Sequence, residues 1–244
     1  MAKSLASQAA LFHDLGAMRE SKLNAVQMLL GSTIAFSDDD WHAPSLLPGW
    51  TRAHIAAHLA SNADAFVRMV AAARAGDPVP LYDSAAKRWE QIERGARRSA
   101  LELQTDLDAS ATRLDHMYPL LSGLDGTAVP LWPGQWVRAD LTPLARLNEV
   151  TLHHVDLDAG FGPDQIEDRV ATWLLQWNAF WLAGDPSYPA IELVASSGLR
   201  MRVGSGRHRI RATGPDAVLL CWLTGRISPA SFGATNLPIL PLRA

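Results

Sequence analysis

Two pairs of side chains four residues apart, Glu149 with His153 and His54 with His58, restrict the fold of this chain more than any other feature. Read as a helix, the stretch from Arg146 to Leu157 places Glu149, His153 and Asp156 within about 60° of one line along its surface. That stripe reads as half of a metal site. The other half stands about ninety residues earlier, in His54-Ile55-Ala56-Ala57-His58, where a second helix carries two imidazoles one turn apart. Structural zinc takes four protein ligands, whereas catalytic zinc takes three and keeps a position open. A His, Glu, His set from two helices fits the open kind, and zinc suits it best, ahead of nickel, iron(II) or manganese.

The rest of the chain supplies helices to hold such a site. Apolar residues recur at helical spacing from Leu5 to Leu30, and Thr51 is a good N-cap for a second helix whose inward stripe is Ile55, Leu59, Asn62, Phe66 and Val70. A third helix is expected from Ala85 to Leu114, a fourth from Leu141 to Ala159 with Pro143 in its first turn, and a fifth from Asp164 to Ala183. Between Ser122 and Pro143 the Gly, Pro and Trp residues indicate an irregular loop or short hairpin. After Gly184 three short alternating runs predict an antiparallel meander, followed by a helix from Gly214 through Arg226. The expected fold class is therefore mainly α: a four-helix bundle over residues 1–184 and a small α+β domain over 185–244.

On the second helix the two histidines are not equivalent. His58 lies about 80° from the centre of the apolar stripe and His54 about 120°, so His58 points more nearly inward and is the better ligand. His154 stands about 100° round from His153 and cannot easily share its ion. Asp156 has the spacing to orient His153 through its other ring nitrogen, or to serve as a cap. Glu149 sits on a helix that is apolar nearly all round, where an isolated carboxylate would be very costly without a cation.

Composition narrows the function classes. The net charge is -3, from 22 basic and 25 acidic residues, which gives a polyanion nothing to hold, so no nucleic-acid partner is expected. No apolar run approaches the roughly 18 residues needed to span a bilayer, and the N-terminal segment does not read as a signal peptide, so a cytoplasmic protein is expected. The single cysteine, Cys221, lies in an apolar run and reads as a core residue; reactive sulfur would have to come from outside the chain.

Three segments, Leu-Pro-Gly-Trp-Thr-Arg-Ala-His-Ile-Ala-Ala-His-Leu, Glu-Val-Thr-Leu-His-His-Val-Asp-Leu and Leu-Leu-Cys-Trp-Leu-Thr-Gly-Arg, resemble the mycothiol-dependent maleylpyruvate isomerase family of the DinB-like metalloenzyme superfamily. The resemblance implies a DinB-like bundle with a sterol-carrier-like C-terminal domain. It implies zinc ligands at His58, Glu149 and His153, an arginine important for activity at Arg226, and a thiol-binding segment at Tyr82 and Arg88.

It also implies a small-molecule substrate and mycothiol as cofactor, with zinc lowering the pKa of the bound thiol. The thiolate adds to the cis double bond of maleylpyruvate, lets it rotate as a single bond, and leaves to give the trans isomer. Arg226 has the bidentate chemistry to hold a substrate carboxylate, although a role at a helix C-terminus is equally consistent with its place. Two alternatives stay open: a mycothiol S-transferase acting on electrophiles, and a metal-stabilised binding or stress-response module without turnover. Oligomeric state is not legible.

Overall fold

The computed structural model describes residues 3–124, 126–132, 134–206 and 208–242. Its contacts divide into two compact units, Ser4–Ala159 and the chain from Gly160 onward.

In the first unit the long opening helix is interrupted. α1 spans Leu5–Leu11 and α2 spans Leu15–Thr33, because Asp14 turns its carboxylate onto the N–H of Ala17 and starts a new helix. A short α3, Asp38–His42, leads into α4, Arg52–Arg74, whose expected stripe of Ile55, Leu59, Asn62, Phe66 and Val70 is buried throughout. The single third helix foreseen over Ala85 to Leu114 is two: α5, Ala85–Gly95, and α6, Ala100–Met117. No proline separates them. Ser99 and Glu102 form a capping box that begins α6 afresh, so a local hydrogen-bond device sets the break.

A hairpin of β1, Ala128–Trp132, and β2, Gln135–Arg138, follows, with Gly134 at φ 76° in its turn. Then comes α7, Thr142–Asp156. Helices α2, α4, α6 and α7 form a closed ring of neighbours, in which α4 packs on both α6 and α7 and α2 packs on the same two. Leu59, Phe66, Leu103, Leu107, Leu114, Leu147 and Val150 fill the space between them. No helix among the described residues is long and apolar enough to cross a membrane.

In the second unit α8, Asp168–Leu182, lies against α9, Asp216–Leu223, and against strand β4, Arg200–Val203. The domain boundary expected at residue 184 thus falls one helix beyond the division of contacts. Strand β3, Ile191–Ala195, is central, with β4 antiparallel on one side and β5, Ile210–Gly214, parallel on the other. This corrects the expected meander. At Gly204 (φ 66°) the chain bonds to Leu182 and a side chain would collide with the carbonyl of Pro189, so β4 ends there and β5 reaches the far edge of β3. Helix α9 also ends sooner than expected. Gly225 at φ 80° stops it after Leu223, and Arg226 lies beyond the helix with its N–H on the carbonyl of Cys221. Cys221 is fully buried.

Candidate metal centre

Helix α4 is started by the turn Leu47-Pro48-Gly49-Trp50 and by Thr51, whose N–H and hydroxyl both meet Nδ1 of His54, at 3.2 and 2.7 Å. His54 is thereby committed to capping, and its Nε2 faces Glu93 at 3.4 Å. One turn further in, His58 has no exposure and points into the bundle. On α7, Pro143 in the first turn leaves Glu149 and His153 two and three turns along, where every residue from Val150 to Asp156 is buried.

The two helices bring these side chains together. Nε2 of His58 lies 3.0 Å and Nε2 of His153 3.7 Å from the same oxygen, Oε2 of Glu149. The imidazole rings stand edge to face with centroids 4.7 Å apart. All three ligand atoms fall within 4.8 Å of one another, the one such group of three or more among the described residues.

Proton bookkeeping at the site shows what the arrangement can hold. Nδ1 of His153 is 2.8 Å from Oδ2 of Asp156, and because a carboxylate only accepts, His153 donates from Nδ1; the neutral ring then turns a lone pair at Nε2 towards the carboxylate of Glu149. Two acceptors facing each other in a buried space repel unless a cation lies between them, so the donor set fits a metal ion. The protonation states agree. Burial pushes His58 down to about 4, against the hydrogen bond it donates to Glu149, so it is neutral near pH 7. Burial alone would raise Glu149, but the N–H donated by His58, with His153 and Arg146 beside it, holds it down to about 2. A neutral imidazole at His58 and an ionised carboxylate at Glu149 are the forms in which such side chains ligate zinc.

Around the trio stands a polar and aromatic wall. Trp50 meets the His58 ring edge-on at 5.8 Å and Trp89 at 6.0 Å, while Tyr82 lies 6.0 Å from Trp132. The guanidinium of Arg88 sits 5.3 Å over the Tyr82 ring and directs Nη2 at Nδ1 of His58, 3.4 Å away. A metal ion on Nε2 of His58 would leave the ring proton on Nδ1, and Arg88 would then have to direct that N–H elsewhere. The structure therefore gathers His58, Glu149, His153, Tyr82 and Arg88 in one place. Arg226 belongs to the other unit, where its Nη1 reaches the carbonyl of Thr224 at 3.3 Å.

Sequence reasoning passed over two residues here. Asn62 was read as one position of an apolar stripe and Arg146 as the first residue of a motif. Both are buried and joined by a 2.6 Å hydrogen bond, one turn along the α4–α7 seam from His58 and Glu149. The polar amide at an inward stripe position was the signal available for Asn62. His154 is buried against Ser32, 2.9 Å away, and does not share the metal centre.

A family model described as the mycothiol maleylpyruvate isomerase N-terminal domain matches residues 24–158, more than half of the chain. Among solved structures, a crystal structure of the mycothiol-dependent maleylpyruvate isomerase is similar with a TM-score of 0.82 and 23% identity, covering 94% of this chain and 97% of that one. A crystal structure of a histidine-to-alanine mutant of that isomerase is similar with a TM-score of 0.81 at the same identity and coverage. No curated protein matches.

Proposed function

The chain belongs to the mycothiol maleylpyruvate isomerase family, and from that premise we propose that it is a cytoplasmic zinc enzyme that uses mycothiol to convert maleylpyruvate to fumarylpyruvate. The observation that carries the reading is the convergence of Nε2 of His153 and Nε2 of His58 on Oε2 of Glu149, with no fourth ligand in the group among the described residues. Three protein ligands leave a coordination position for a thiol or substrate. Zinc bound there supplies the acidity that keeps a small thiol ionised at neutral pH, and the thiolate supplies a nucleophile that can add to a cis double bond and leave after it has rotated.

The side chains of the protein then have definite tasks. His58, Glu149 and His153 hold the ion, and Asp156 fixes the ring of His153. Arg88 and Tyr82 stand beside the trio and contact the bound cofactor and substrate. Trp50, edge-on to the His58 ring, gives that side of the site an apolar face. Arg226, in the second unit, has the bidentate chemistry to bind a carboxylate.

Zinc-loaded protein given mycothiol and maleylpyruvate tests the proposal. Cis-to-trans conversion with no net loss of thiol is the expected result. Stoichiometric thiol consumption with an electrophile and no isomerisation would instead make the protein an S-transferase, since the same activated thiolate serves both reactions. Zinc that can be removed without turnover ever appearing, together with unfolding on chelation, would mark a structural centre.

A further inference from the structure

Arg146 is 2% exposed, makes one hydrogen bond, from Nη1 to Oδ1 of Asn62, and keeps its Nε buried without a partner. No carboxylate pairs with it among the described residues. Burial draws its guanidinium downward from its ordinary range, with Tyr118, Glu149, Tyr82 and Asp115 as its electrostatic neighbours. A buried cation without a paired anion is costly, and replacing such groups by apolar ones is often stabilising. Its presence one turn from Glu149 calls for a use.

The hydrogen bonds supply one. A guanidinium only donates, so Oδ1 of Asn62 must accept from Arg146, and the amide cannot be flipped. Its Nδ2 therefore donates, and the partner is the hydroxyl oxygen of Tyr82 at 2.8 Å. The guanidinium of Arg88 lies over the same ring, 5.3 Å from its centroid. Because the Tyr82 oxygen accepts from Asn62, its own proton turns another way, and none of the described residues accepts it. Tyr82 lies beside the metal trio, linked to it by Arg88, which touches Tyr82 and His58 together.

We infer that Arg146, Asn62 and Tyr82 form a polarised relay that presents the Tyr82 hydroxyl proton, next to Arg88, to an oxygen anion of the bound ligand. The ligand class is a carboxylate or enolate, and the inference rests on the isomerase reading for which of these is met in turnover. Addition of a nucleophile to a double bond conjugated to a carbonyl moves negative charge onto that carbonyl oxygen, where a neutral, fixed donor is worth most. Burial and the charge of Glu149 raise the Tyr82 phenol, which keeps it protonated for that task. Tyr82 is then a catalytic residue; Asn62 and Arg146 are positioning residues.

The test compares wild type, Tyr82→Phe, Asn62→Asp and the double variant as full-length zinc-loaded proteins. Calorimetric binding of maleate, whose carboxylate oxygens stand in for the oxyanion, is measured beside turnover and thermal unfolding. Tyr82→Phe loses the proton, and Asn62→Asp turns it inward, because a carboxylate can only accept it. Each single change is expected to weaken maleate binding about tenfold and to lower kcat roughly 100-fold with little change in KM. Asn62→Asp pairs the guanidinium of Arg146, so it is expected to melt no lower than wild type. In the Tyr82→Phe background Asn62→Asp is expected to add no further loss of binding, since it acts through a hydroxyl that is gone. Wild-type protein that does not bind maleate, single variants that bind it as wild type does, or additive losses in the double variant would overturn the relay. Tyr82-dependent maleate binding in a protein that fails to isomerise maleylpyruvate would sustain the relay and remove the proposed reaction.

Discussion

Nδ1 of His153 and Oδ2 of Asp156 stand 2.8 Å apart, three residues along one helix, and this contact decides what the neighbouring nitrogen can do. It holds the proton of the neutral ring on the side away from Glu149, which leaves Nε2 as the lone pair. The spacing that puts a carboxylate one turn after a histidine is thus a device for choosing a tautomer, and the chemistry of the whole centre follows from it.

Asp156→Asn tests that device. An amide can accept from His153 but no longer carries the charge that makes the imidazole a strong ligand, and changes of this kind lower metal affinity roughly 10- to 100-fold. Competition with a chromophoric chelator measures the affinity. An unchanged zinc affinity with intact helicity would show that Asp156 is only part of the packing.

Acid should destabilise the fold through buried neutral histidines. His154, lying against Ser32, is pushed by burial from 6.5 to about 4. Its unfolded form binds a proton below about 6.5 while its folded form does not until about 4, so stability is full above the first value and falls as pH drops towards the second. His154→Gln is expected to remove on the order of 2 kcal/mol of the loss between pH 6.5 and pH 4.5. Urea unfolding at the two pH values measures it, and equal losses in wild type and variant would refute the assignment.

The seam between α4 and α5 is set by a glycine. A Cβ on Gly95 would lie 2.7 Å from Cβ of Ala57, the residue before His58, so the helices can approach only without one. Gly95→Ala must push α5, with Arg88 on it, away from α4. Overpacking of this kind costs about 1–3 kcal/mol, outweighing the better helix propensity of alanine. A urea midpoint at or above that of wild type would mean that α5 adjusts freely.

Much of this was legible in the sequence, for physical reasons that differ from element to element. The 3.6-residue period placed the inward stripes of α4 and α7 and chose His58 over His54, because helix faces depend on local spacing alone. The breaks at Asp14 and Ser99 were missed, since a side-chain cap can end a helix without any proline or glycine. His54 reads from spacing as a possible ligand, but its nearness to Thr51 decided its role. The parallel pairing of β3 with β5 depends on long-range contacts that alternation does not encode. Arg146 and Asn62 went unnoticed as a pair because they are 84 positions apart and meet only when α4 and α7 do.

The central claim is that His58, Glu149 and His153 hold one ion with a position left open. Zinc content and X-ray absorption of the purified full-length chain address it directly. The account predicts one zinc per chain, bound by two imidazole nitrogens, one carboxylate oxygen and an exchangeable light or sulfur ligand, and lost in His58→Ala and Glu149→Ala while the helical signal persists. Protein that takes up no stoichiometric zinc, or binds it equally well in both variants, would contradict it.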